Sequence, residues 1–209
     1  MPNVLYLHGF ASSPRSRKAL WFASKFQESG VQFSAPDLEQ GDFTALTITG
    51  MLDCVRREAQ GEKVTLMGSS LGGYVAALYA VRWPEQVHRL VLMAPAFDFA
   101  AMWLARIGPA AEAEWRRTGR LPMMHYGRNE MAEIGWSLMD DAFTHPAEPD
   151  PPHPSLVLHG LNDDVVPPAV AAAWCEKSPS RRLVLYEDGH ELGAVLDSMW
   201  TETKAFLAI

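Results

Sequence analysis

The 209-residue chain predicts an α/β fold: a mainly parallel sheet of about six strands, helices on both faces, and one helical cap insertion. Three observations carry that prediction. Short, continuously apolar β-type runs recur along the chain, as strands buried on both faces require. Each run is followed by an amphipathic helical stretch, the alternation of parallel strands joined by right-handed crossovers. A single stretch, residues 97–154, breaks the rhythm and is long for a connection.

Taken in order, Val4–Leu7 is a short buried strand ending on His8-Gly9. Residues Pro14–Ser29 follow as a helix, with Leu20, Phe22, Ala23 and Phe26 on its apolar face and Gly30 closing it. Val31–Ala35 is the second strand and Phe43–Ala59 the second helix, weakened by Gly50. Lys63–Met67 is the third strand, and Gly72–Arg82 a helix stopped by Pro84. Arg89–Met93 is the fourth strand. Beyond the insertion, Ser155–Leu158 and Arg182–Tyr186 are strands flanking a helix over Val170–Lys177, and Ala194–Phe206 is the closing helix.

Residues 97–154 suggest no strand pair of their own and leave through a Pro-rich exit at 146–154. One reading is an additional helical layer that completes the core. The preferred one is a cap over the C-terminal strand ends, where ligands bind in open parallel sheets. Its large, soft side chains, Trp103, Met123, Tyr126 and Trp136 among them, are then expected to line an apolar substrate pocket. The whole, 1–209, is expected to be one domain with 97–154 as its cap.

Composition narrows the function classes. A hydrophobic fraction of 48% and a charged fraction of 21% describe an ordinary globular core and surface. A net charge of −7 argues against a general nucleic-acid binder, which needs a basic stripe to displace counterions. Cys54 and Cys175 fit no metal-ligand spacing; two buried thiols are expected, with a single disulfide left open. No apolar run reaches the roughly 18–20 residues of a membrane span. Met1-Pro2-Asn3 leads into a strand without a basic region or cleavage site, so a cytoplasmic protein is expected.

The chemistry is concentrated in Gly68-Ser69-Ser70-Leu71-Gly72, a G-x-S-x-G between an apolar strand and a small-residue helix. A sharp strand-to-helix turn needs small neighbours two residues either side of the nucleophile, and it sets Ser70 at a helix N-terminus, where negative charge is favoured. Ser69 lacks those flanking glycines. The serine needs a base. Among seven histidines, His190 falls just past the last strand and before the last helix, at the catalytic edge. His88 and His145 look like surface, His125 could face the pocket or be structural, and His8 and His159 each end a strand before a Gly and shape loops. An acid to orient His190 comes from Asp163 or Asp164, after the fifth strand.

The run Gly160-Leu161-Asn162-Asp163-Asp164-Val165-Val166-Pro167 resembles the G-x-x-D-x-x-V-P loop of the α/β-hydrolase family, and that resemblance implies Asp163. The order Ser70, Asp163, His190 is also the family's. It implies two oxyanion donors: the Leu71 N–H and, from His8-Gly9-Phe10, which resembles the family's HG-x turn, the Phe10 N–H. Leu5-Tyr6-Leu7-His8-Gly9-Phe10-Ala11-Ser12-Ser13-Pro14-Arg15-Ser16 is similar to the start of small bacterial YqiA-type esterases. The stretch from Trp115-Arg116-Arg117-Thr118-Gly119 through the Asp163 loop looks closer to mycophenolic acid acyl-glucuronide esterase, a mitochondrial enzyme that also acts as a thioesterase on acylated protein cysteines. Against the full family pattern, the first antiparallel strand pair is expected to be missing.

The resemblance implies two-step acyl transfer on carboxylic esters, with thioesters open, of small or medium acyl groups. Activity should fall below about pH 6–7, because the base must be neutral. No metal and no organic cofactor is implied, and the partner is a small ester or acylated substrate. Arg116, Arg117 and Arg120 offer either a clamp for a substrate carboxylate or a solvated helix face. Lyase, C–C hydrolase or perhydrolase chemistry, and a catalytically silent binding module, remain alternatives that the fold does not exclude.

Overall fold

The structure, a computed structural model, describes residues 3–209; Met1 and Pro2, on which part of the leader reading fell, lie outside the described residues. Along the chain run β1 (Val4–Leu7), α1 (Arg17–Glu28), β2 (Phe33–Ser34), α2 (Ile48–Ala59), β3 (Val64–Ser69), α3 (Leu71–Arg82) and β4 (Val87–Met93). Residues 97–154 then supply α4 (Phe99–Thr118), β5 (Arg120–His125), β6 (Glu130–Gly135) and α5 (Ser137–Ala142). β7 (Ser155–Gly160), α6 (Pro168–Glu176), β8 (Arg181–Tyr186) and α7 (Leu196–Leu207) complete the order.

Six strands form one parallel sheet in the order β2-β1-β3-β4-β7-β8. Alternate side chains of each strand enter opposite apolar layers, which explains why the strands read as unbroken hydrophobic runs. Leu5, Leu7, Leu66, Leu90, Leu92 and Val157 pack with residues of α2 and α3 on one face. Val4, Tyr6, Met67, Val91, Met93, Leu156 and Leu158 meet Ala19, Phe22 and Phe26 of α1 and Met199 and Trp200 of α7 on the other.

The elements follow the sequence expectation with shifts that have local causes. α1 starts at Arg17 because the Ser16 hydroxyl caps it, accepting from the Ala19 N–H at 3.3 Å. The expected Phe43–Ala59 helix is two pieces. Asp42 caps a 3-10 turn over Phe43–Ala45, the chain extends at Leu46, and Thr47 caps α2 by accepting from the Gly50 N–H. β2 is only two residues long, an edge strand held to β1 by Val4↔Phe33 and Leu5↔Ser34.

The insertion is not purely helical. β5 and β6 pair antiparallel, with Met123 opposite Ala132 and His125 opposite Glu130, so the expectation of no strand pair in 97–154 is corrected. Leu121, Met123 and His125 turn inward while Pro122 and Met124 are exposed, a period of two. Pro122 is tolerated because both strands of a two-stranded sheet are edges. α4 is broken at Gly108 (φ 80°, ψ 164°) before Pro109, which makes it two short helices at an angle. Trp115, Ile134, Leu138 and Met139 of this segment are fully buried in the α2–α3 apolar layer. Among the described residues no helix is long and apolar enough to cross a membrane, and both cysteines are free.

Candidate active site

The turn between β3 and α3 is forced by close backbone packing. A Cβ on Gly68 would sit 2.3 Å from the Gly72 carbonyl oxygen, and one on Gly72 would sit 2.1 Å from that of Leu7. The central serine between them, Ser70, adopts φ 53° and ψ −117°, a conformation that costs an L-residue about 1–3 kcal/mol. It is fixed from both sides: its N–H donates to the Met93 carbonyl at 2.8 Å, and its carbonyl accepts from Gly73 and Ala96. The Ser70 hydroxyl makes no cap hydrogen bond to α3, which leaves it free to leave the helix axis.

That hydroxyl meets His190. Ser70 Oγ lies 3.0 Å from His190 Nε2, and His190 Nδ1 lies 2.8 Å from Asp163 Oδ2. The three side chains come from just past the C-terminal ends of β3, β7 and β8; β7 and β8 are neighbours in the sheet, and only β4 separates them from β3. The Asp163 and His190 loops brace each other: the Asn162 N–H donates to the Asp188 carbonyl at 3.0 Å, and a Cβ on Gly160 would lie 2.4 Å from that same oxygen. Asp163 is buried, whereas Asp164, its competitor, is exposed and directs only its carbonyl toward Arg106. Burial alone would raise the Asp163 carboxyl, but hydrogen bonds from His159, His190 and the Val166 N–H outweigh it and hold the group well below the usual carboxylate range.

Phe10 and Leu71 bracket the serine. A Cβ on Gly9 would sit 3.5 Å from Ser70 Cβ, so the His8-Gly9-Phe10 turn passes directly beside the hydroxyl-bearing carbon. Among the described residues, neither the Phe10 nor the Leu71 N–H donates to a protein acceptor. His8 sets the turn. Its Nε2 accepts from the Leu38 N–H at 3.1 Å, so the ring proton is on Nδ1, which donates to the Gly9 carbonyl at 3.0 Å. The C=O and N–H of one trans peptide point oppositely, so holding the Gly9 carbonyl also holds the Phe10 N–H.

The remaining sequence candidates separate. Trp103 packs edge-on against Phe10, ring centroids 5.0 Å apart, within an aromatic group that includes Phe43 and Phe99. Met123 is partly buried against the core. Tyr126 is 76% exposed at the hairpin tip. Trp136 is engaged by Trp115 and by Arg116, and its N–H donates to Asp140. Arg116 and Arg117 pair with Glu112 and Glu114 on α4, and Arg120 of β5 pairs with Glu133 of β6, which favours solvated surface pairs over a substrate clamp.

Sequence reasoning missed a support behind the Phe10 turn. Buried His125 at the end of β5 donates through Nε2 to Glu39 Oε1 at 2.7 Å, its Nδ1 accepts from the Arg128 N–H, and the Arg128 guanidinium takes Glu39 Oε2 at 2.7 Å. The Gly127 N–H donates to the Ala11 carbonyl, and a Cβ on Gly127 would lie 2.7 Å from the Ser12 carbonyl carbon. The hairpin is therefore bolted to the turn that carries Phe10. Lys18 was also unforeseen. Burial pushes its ammonium down, opposed by Glu191 at 3.6 Å and by Asp163 and Asp188, so α1 brings one cation behind the site.

A family model, described as an uncharacterised protein family (UPF0227), matches residues 3–208. The chain belongs to UPF0227. It is also an α/β-hydrolase superfamily member. The structure of a putative hydrolase from Agrobacterium vitis S4 is similar over 98% of this chain and 87% of its own, at 25% identity and a TM-score of 0.85. The mouse alpha/beta hydrolase domain-containing protein 10 shares the fold over 100% of this chain and 90% of its own, at 21% identity and a TM-score of 0.83. In sequence, the bovine mitochondrial palmitoyl-protein thioesterase ABHD10 is 27% identical over 180 residues, covering 79% of this chain. This chain spans 58% of that relative's length.

Proposed function

We propose that the chain is a serine hydrolase that cleaves carboxylic esters or thioesters of small or medium acyl groups. The observation that carries this reading is the continuous hydrogen-bond path from Ser70 Oγ through the His190 ring to Asp163 Oδ2. Ser70 Oγ attacks the carbonyl carbon while His190 Nε2 takes its proton. The tetrahedral oxyanion is met by the Phe10 and Leu71 N–H groups, each worth about 3–4 kcal/mol by analogy with other oxyanion donors. The C–O or C–S bond then breaks, His190 returns the proton to the leaving alcohol or thiol, and a water activated by the same nitrogen hydrolyses the acyl-enzyme. Asp163 stays ionised throughout and orients the imidazole.

Residues 97–154 act in this reading as the cap, within a single domain. Trp103 is the lining residue best supported, because it lies on Phe10; the contacts of Met123, Tyr126 and Trp136 give those three no comparable support. Two free cysteines are compatible with a reducing, cytoplasmic setting. The test is turnover of p-nitrophenyl esters from acetate to palmitate beside Ser70→Ala, with an active-site serine phosphonate as a second probe. The reading expects a chain-length optimum, a loss of at least about a thousandfold in the mutant, and phosphonate labelling of Ser70 alone. Wild-type protein that neither labels nor turns over any ester sinks it in favour of a lyase or a silent binding module.

A further inference from the structure

Two histidines approach one carboxylate oxygen: His190 Nδ1 hydrogen-bonds Asp163 Oδ2 at 2.8 Å, and His159 Nε2 lies 3.1 Å from the same atom. The acyl-transfer scheme uses only the first. His159 is fully buried at the end of β7, and its Nε2 also lies 2.9 Å from the Val166 carbonyl oxygen. Both neighbours of that nitrogen are acceptors, so Nε2 carries a proton shared between them. The opposite ring nitrogen, Nδ1, is buried without a partner among the described residues, so the ring is not held there by its other end. The second carboxylate oxygen, Asp163 Oδ1, is occupied by the Val165 and Val166 N–H groups at 2.9 and 2.8 Å.

We infer that His159 is a positioning residue: its Nε2–H holds Asp163 Oδ2 in the orientation from which that oxygen faces His190. Resting on the serine-hydrolase reading, the inference concerns how the acid is aimed. With Oδ1 pinned by two backbone donors and Oδ2 by His159, the carboxylate keeps its plane whether or not His190 is bound to it. The same nitrogen straps the Val166 carbonyl, so one side chain closes both walls of the 160–166 turn. A carboxylate set in this way needs no reorganisation when the imidazolium forms, which is the economy of a preorganised site.

The test compares folded wild type, His159→Phe and His159→Gln, with Ser70→Ala as control. Phe removes the donor and keeps a planar ring; the Gln amide reaches the place of Nε2 and restores an N–H. Losing a hydrogen bond to a charged group predicts a fall in kcat of roughly tenfold to a hundredfold in His159→Phe, with KM little changed. Gln should recover most of it. The downfield proton resonance of the His190 Nδ1–H should move in Phe and return in Gln. A folded His159→Phe with wild-type kcat and an unmoved resonance overturns the inference, as does failure of Gln to recover activity. If Phe does not fold, His159→Asn replaces it: its shorter amide reaches Nδ1 rather than Nε2, so Asn equal to Gln overturns the inference and Asn well below Gln supports it. Retained turnover in Ser70→Ala is the distinct signature that the serine-hydrolase reading has failed, and the inference falls with it.

Discussion

Ser70 spends its hydroxyl on His190 although it stands where a serine would ordinarily cap a helix. Substituting it should therefore cost activity without costing α3. Asp163 is the residue whose charge has a thermodynamic signature. Its folded carboxyl is held below the usual range, so its contribution to stability is present above the unfolded value, near 3.9, and is lost as the pH falls toward the folded one. The melting temperature of wild type relative to Asp163→Asn should thus be most favourable between about pH 5 and 7 and narrow below about pH 4. A difference that stays constant from pH 7 to pH 3 would contradict the account. His8 belongs to this scale as well: His8→Ala should lower kcat more than it raises KM, measured on the ester best turned over, because it frees the peptide that carries the Phe10 N–H.

At the scale of elements, the β3–α3 turn is the least forgiving joint. Gly72→Ala would drive a methyl group to 2.1 Å from a backbone oxygen of β1. A loss of at least about 1–3 kcal/mol is expected, read by urea unfolding. This joint was legible in the sequence because backbone geometry dictates the two glycines directly. The β5–β6 hairpin was not legible. Its inward positions Leu121, Met123, Ala132 and Ile134 do alternate, but Pro122 inside the run and the neighbouring helical residues masked the period. Its tip now has a testable role. Gly127→Val should reduce kcat by pressing on Ser12 beside the Phe10 turn, while leaving phosphonate access to Ser70 in place.

At the scale of the molecule, sequence reading recovered the six-strand sheet because a strand buried on both faces carries its own signal in continuous apolar runs. The arrangement of residues 97–154 depends instead on contacts between distant segments, such as Glu39 with His125 and Thr49 with Asp141, whose partners are 86 and 92 residues apart. No local periodicity encodes such pairs. The same holds within the site: Ser70 was a candidate from its motif, His190 from its place past the last strand and Asp163 from a family resemblance, but the second histidine beside Asp163 emerged only from side-chain placement.

The sheet order has a kinetic corollary. β4 and β7 are neighbours in the sheet, yet all of residues 97–154 lie between them in the chain, so their pairing closes a long loop and should form late. Ser70 stands on one side of that seam, Asp163 and His190 on the other. During refolding from urea, helical circular dichroism should return first and phosphonate reactivity last, so that the competence of Ser70 to react marks the moment the two halves of the sheet join.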